Sequence, residues 1–213
     1  MSSNRVETLR ATLKNLYGSQ NNLLFHGWHH ITFVTRKSLE FAGEYELDLE
    51  LLEAAALTHD LNYIVDVKSD VDAGKELRSE VLGKAGFNVV EISNIENTIH
   101  NSSTKFSDGD ISDASKALSD ADKLFKVLPI GPMIMSSRYI TETKVDIDKW
   151  ADRIIRDQKP LLESDRYFYT KSAKEKYLHW AKLNLEWVET VRNSLDDPDI
   201  QIFLDDCKEL GYI

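Results

Sequence analysis

The chain has 213 residues, 42% of them hydrophobic, enough to bury one substantial core, and no composition shift marks two independent domains. Asp and Glu outnumber Lys and Arg by 36 to 26, for a net charge of −10, so a nucleic acid polymer is excluded as the expected partner while a small phosphorylated substrate in a local basic pocket is not. No apolar stretch approaches the roughly 20 residues of a membrane-spanning helix, so no membrane association is expected; the start Met-Ser-Ser-Asn-Arg-Val-Glu lacks a signal-peptide core and the lone Cys207 cannot form an internal disulfide, which together predict a cytoplasmic setting.

All four prolines lie beyond residue 128, so the first half is free of helix breakers. Val6, Leu9, Leu13, Leu16 and Tyr17 recur at three- and four-residue intervals and predict a first helix over 4–17, stopped by Gly18. After Ser19-Gln20-Asn21-Asn22, a second helix is expected from Trp28 to Ala42, with Ile31, Val34, Leu39 and Phe41 as apolar members. Leu47 to Leu57 is nearly all apolar, the mark of a helix buried on most sides, and His59-Asp60 closes it. Residues 70–85 read as a partly exposed helix whose Lys75, Arg78 and Lys84 are expected to be mobile charges.

Val89 to His100 carries a helical trace through Val90, Ile92, Ile95 and Ile99 despite its β-branched content, with a strand as the alternative. A polar loop is expected over 104–110, then a helix from Ser112 to Val127 that contains Asp120 and Asp122 and is broken by Pro129, Gly131 and Pro132. The last third predicts helices over 146–164, 168–193 and 198–209. Sustained period-two alternation and glycine-rich phosphate-cradling turns are both missing from the sequence, so the fold class expected is all-α.

Chemistry concentrates in three segments: His26, His29 and His30; His59-Asp60; and Asp120-Ala121-Asp122-Lys123. Imidazole and carboxylate together suit a borderline divalent cation. His26 and His30, four apart, share a face if the second helix starts that early, although a histidine near a helix start also serves simply as a cap. A buried helix ending in two adjacent polar groups must satisfy both, and a shared cation does so at once. Asp120 and Asp122 point in different directions on a helix, so at most one of them reaches that cation; spacing leaves open which. His29 points about 100° away from His30, and the aromatic residues Tyr167, Tyr169, Tyr177, Trp180 and Trp187 are read as helix-packing material. His179 has no acidic partner at ligand spacing and is left out.

The pattern His30, His59-Asp60, Asp122 resembles the HD-domain superfamily of metal-dependent phosphohydrolases over about residues 20–130. Valine follows the first histidine by four residues, as in His30-Ile31-Thr32-Phe33-Val34. The doublet ends an alanine-leucine-rich helix, Leu52-Glu53-Ala54-Ala55-Ala56-Leu57-Thr58-His59-Asp60. The segments Phe25-His26-Gly27-Trp28-His29-His30 and His59-Asp60-Leu61-Asn62-Tyr63 look like those of small stand-alone bacterial and archaeal HD hydrolases.

The resemblance implies an HD-like helical bundle over residues 1–213 as one all-α domain, with its metal-binding core about 20–130 and a C-terminal helical region about 131–213. It implies His30, His59, Asp60 and Asp122 as metal ligands, leaving Asp120 to orient a ligand. The cation implied is Mn²⁺, Mg²⁺ or Fe²⁺, with Co²⁺, Ni²⁺ and Zn²⁺ as further options. The activity implied is hydrolysis of a small phosphate ester or anhydride, a nucleotide above all. Asp60 would take the proton of the attacking water, and His100 and Lys123, ahead of Lys75 and Arg78, would balance phosphoryl charge. Two other readings are a non-catalytic HD-like nucleotide-sensing or regulatory protein and a di-iron HD-type oxygenase, the latter calling on His26 and His100 as extra ligands. The oligomeric state is not legible.

Overall fold

The computed structural model describes residues 3–103 and 111–211, so the expected 104–110 loop lies outside them. The fold is all-α: among the described residues every regular element is helical, and no helix is long and apolar enough to cross a membrane.

Local chemistry explains where the first helices begin. Helix α1 (Asn4–Gly18) starts where the Ser3 hydroxyl accepts from Val6 N, and it buries Val6, Leu9, Leu13 and Tyr17, one face at the predicted spacing. Helix α2 (Trp28–Phe41) begins at Gly27, where a Cβ would lie 2.6 Å from the Leu23 carbonyl, so only glycine lets the chain turn into this helix. Helix α3 (Leu49–Thr58) is capped by Asp48, which accepts from Glu50 N and Leu51 N, and every residue from Leu52 to Thr58 is buried.

After α3 comes a short helix that was not anticipated, α4 (Asn62–Val65), and the region expected as one helix over 70–85 is two pieces, a 3₁₀ turn (Val71–Gly74) and then α5 (Lys75–Ala85), which ends at Gly86 with φ of 96°. The break sits at Gly74, whose Cβ would come within 2.6 Å of both Asn62 N and Arg78 Nη1. Arg78 is not a mobile charge: it is 1% exposed, donates through Nε and Nη2 to Glu96 at 2.8 Å each, and through Nη1 to the Val71 carbonyl at 2.9 Å.

Helix α6 (Val89–Ser102) is helical as preferred over the strand alternative, because Asn88 and Glu91 cap each other's backbone reciprocally. Helix α7 (Asp113–Lys126) follows the Ser112 cap and packs along α2; α3 packs against α2, α1 and α6. Two further helices were not anticipated, α8 (Gly131–Ile134) and α9 (Ser136–Thr143). Pro132 does not simply stop the chain here but sits in the first turn of α8, where its missing N–H costs nothing.

Helices α10 (Ile147–Glu163), α11 (Lys171–Ser194) and α12 (Pro198–Glu209) fall within a few residues of expectation. The main core is continuous from Val6 through α7 to Tyr167, Phe168, Ala173 and Ala181, so the start of α11 is embedded in it. A smaller cluster of Trp150, Ala151 and Val188 joins α10 to α11, with Trp187 edge-on to Trp150 at 5.8 Å. The aromatic residues are packing material, as expected: Tyr167 is buried, and Tyr177 and Trp180 lie against the main core.

Candidate metal centre

Three segments far apart in sequence bring their polar atoms together at one point. His30 lies in the first turn of α2, fully buried, with Phe125 edge-on to its ring at 4.4 Å and Phe25 stacked at 6.0 Å. His59 caps the C-terminus of α3, and Asp122 comes from α7. One ligand atom from each of His30, His59 and Asp122 lies within 4.8 Å of the others.

The orientation of His59 follows from its own helix. Its Nδ1 sits 2.8 Å from the Ala56 carbonyl, which can only accept, so Nδ1 carries the proton. In the neutral ring Nε2 therefore keeps its lone pair, and Nε2 is the atom 3.2 Å from His30 Nε2. Asp60 Oδ2 approaches His30 Nε2 at 2.9 Å and His59 Nε2 at 3.3 Å, yet it is buried with no hydrogen bond of acceptable angle. Asp122 Oδ1 lies 3.6 Å from His30 Nε2, while its Oδ2 accepts from Lys126 Nζ at 2.6 Å.

Electrostatics pull the two histidines apart. Burial holds His30 below the ordinary imidazole range, against the opposing effect of Asp60. At His59 burial also acts downward, but the Asp60 and Asp122 charges outweigh it and the group is raised. Burial would raise Asp60, but the charges of His59 and His30 win and keep it ionised, well below the usual carboxylate range. Asp122 is likewise lowered, with Lys126 and His30 overcoming its burial.

The cluster opens onto a chamber of about 160 Å³ whose walls include His26, His59, Asp60, Asp122, Lys126 and Arg153. The donor set fits a divalent cation on two counts: a ring nitrogen presented by a fixed tautomer, and a buried carboxylate oxygen aimed at two imidazoles without a bond of its own.

Of the other residues singled out in the sequence, His26 is on the chamber wall without joining the cluster, and the rest lie elsewhere. His26 precedes α2 instead of sharing its face with His30; its Nδ1 pairs with Glu142 Oε1 at 2.5 Å, and its ring stacks on Tyr63 at 3.6 Å. His29 and His179 are exposed. His100 is not on the chamber wall, although its neighbours Ile99 and Ser102 are; its side chain is 43% exposed with Nδ1 3.4 Å from Asp72.

Lys123 is 3% exposed, with Nζ 4.5 Å above the Tyr169 ring and no hydrogen bond, and burial lowers its pKa to about 8. It lines an adjoining pocket of about 170 Å³ and not the chamber. Asp120 does not orient a ligand: it is fully buried and accepts from Tyr169 N, Thr170 N and Thr170 Oγ1, the last two at 2.7 Å, pinning the start of α11 to α7. Lys75 is exposed and Arg78 belongs to Glu96.

The residues that sequence reasoning missed are Lys126, Tyr63, Glu142 and Arg153. Lys126 carries a usable signal, since it stands one helical turn after Asp122. Glu142, which also accepts from Phe25 N at 2.6 Å, carries none, because a lone glutamate in a polar stretch reads as solvent-facing. Compared with protein-family models, curated proteins and solved structures, the chain matches none, so its functional reading rests on its own residues.

Proposed function

We propose that this chain is an HD-type metal-dependent phosphohydrolase acting on a small phosphate ester or anhydride, with nucleotides as the expected substrate class. The observation that carries the reading is the convergence of His30, His59 and Asp122 on one point, with Asp60 Oδ2 beside both imidazoles. A structural bundle gains nothing from gathering two buried imidazoles and two half-buried carboxylates at one point, because each loses hydration.

A Mn²⁺, Mg²⁺ or Fe²⁺ ion held by His30, His59, Asp60 and Asp122 would supply Lewis acidity toward water and a phosphoryl oxygen. The chain's own groups supply the rest. Asp60 is the group assigned to accept the proton that leaves the attacking water, through whichever of its two carboxylate oxygens does not hold the cation. Lys126, on the chamber wall and already paired to Asp122, offers a cation to the phosphoryl oxygens. His100 and Lys123, given that role from the sequence, are assigned none here, since neither side chain lines the chamber.

The test is purified protein reconstituted with each cation and assayed against nucleoside mono-, di- and triphosphates and a generic phosphodiester, beside Asp60→Ala. Cation-dependent phosphate release that Asp60→Ala abolishes is expected. Release unaffected by that substitution, or none with any substrate, would overturn the reading.

A further inference from the structure

A larger cleft adjoins the chamber. It measures about 820 Å³, within the roughly 300–1,000 Å³ of small-molecule sites, and runs between the 67–69 turn and helices α9 and α10. Tyr63, Ser69 and Arg153 line both the cleft and the chamber, so the two spaces share a border.

The charge of this cleft is opposite to that of the molecule. Acidic residues exceed basic ones by 36 to 26 over the chain, yet the cleft walls carry Lys68, Lys144, Lys149, Arg153 and Arg156 against only Asp146 and Asp157. The acids are accounted for: Asp146 pairs with Lys149 at 2.7 Å and Asp157 with Arg156 at 2.8 Å. Arg153 Nε reaches Asp157 only at 3.8 Å, and its Nη1 is held by the Tyr139 hydroxyl at 2.9 Å, which fixes the guanidinium beside the chamber. Lys68 and Lys144 have no ion pair among the described residues.

Lys144 adds an independent sign. Its φ is 53°, in the left-handed region that glycine adopts freely and a residue with a Cβ does not, so a lysine stands here against its backbone preference. Like charges gathered in one concavity raise the local potential and concentrate anions there.

We propose that the cleft holds the remainder of a polyphosphorylated substrate: one phosphoryl group enters the chamber, and at least one further phosphate lies along Arg153, Lys144 and Lys68. The proposal rests on the phosphohydrolase reading of the chamber. A substrate with a single phosphate would occupy the chamber and leave unused Lys68 and Lys144, which line the cleft and not the chamber.

The test is calorimetric titration of the metal-free protein at about 0.15 M salt, since tripolyphosphate itself chelates cations. Inorganic tripolyphosphate is expected to bind at least about tenfold more tightly than orthophosphate, each charge-assisted contact being worth about that factor. The preference disappears in Lys68→Gln/Lys144→Gly/Arg153→Gln. All three side chains are exposed and Lys144→Gly relaxes the backbone, so circular dichroism and urea unfolding should report an intact fold. In the same variant the KM for a nucleoside triphosphate rises at least about tenfold.

Equal binding of the two anions, or a preference that survives the triple substitution, would overturn the proposal. The failures are separable. Cleft-dependent tripolyphosphate binding by a protein that hydrolyses no phosphate compound sinks the phosphohydrolase reading alone. Cation-dependent hydrolysis without any tripolyphosphate preference sinks the cleft alone.

Discussion

Replacing Arg78 by methionine preserves much of the buried volume and removes a guanidinium that is 1% exposed and makes three hydrogen bonds. The loss falls on what is left behind. The Glu96 carboxylate, its side chain 12% exposed, is stranded without a cation, and the Val71 carbonyl loses its donor. Breaking one side of a buried ion pair costs about 3–5 kcal/mol. Glu96 keeps some contact with water, which favours the low end, and the lost bond to Val71 adds about 1 kcal/mol. The expected destabilisation is therefore about 4 kcal/mol, against about 5–15 kcal/mol for a whole protein. Urea unfolding followed by circular dichroism in EDTA measures it. Adding Glu96→Leu should restore at least about 2 kcal/mol, because the penalty lies in the orphaned carboxylate and not in the missing arginine. A loss under about 1 kcal/mol, or a double variant no more stable than Arg78→Met, would refute this account of how α5 and α6 are joined.

Asp122→Ala should abolish cation binding, read by elemental analysis after dialysis, while leaving helical content near wild type, since Asp122 sits on the chamber wall and outside the apolar core; full cation retention would count against it as a ligand. Because His59 is raised above the ordinary 6.5, a proton competes for its Nε2 through and above that pH, so cation affinity should fall as pH drops through neutrality, with proton release on binding; affinity flat between about pH 8 and 6 would contradict this. Burial lifts Asp120 from 3.8 to about 6, against the opposing hydrogen bonds from Thr170 and Tyr169. Between those values the folded chain holds a proton the unfolded chain has released, so this group's contribution to stability is present below 3.8 and lost as pH rises through 6. The stability of wild type minus that of Asp120→Asn, in EDTA, should therefore decline across that window; a difference that climbs would show the sign to be wrong.

Most helices were legible because their apolar residues repeat at 3.6 and their caps are ordinary: Ser3, Asp48, Asn88 and Thr170 each accept from a first-turn N–H. Helix α9 was not, because its buried member is Glu142, and pattern reading assigns charge to the outside. The same rule misplaced Arg78, read as a mobile charge, and gave no sign that Asp120 and Lys123 are buried as well. Their partners, Glu96, Thr170 and the Tyr169 ring, lie 18, 50 and 46 residues away, beyond anything helical spacing can connect. The His30, His59 and Asp122 convergence was expected from motif order, whereas the basic cleft was not, because Lys68 and Arg153 belong to segments that meet only in the folded chain.

Helix α7 presents two carboxylates to opposite sides, Asp122 to the chamber and Asp120 to the backbone at Tyr169 and Thr170, next to Tyr167 and Phe168 in the main core. A protease that nicked the stretch around Met133, which is 84% exposed, would therefore not liberate the C-terminal portion. The two fragments should co-elute on gel filtration at the mass of the uncut molecule and part only in denaturant, the way a clasp outlives a severed thread.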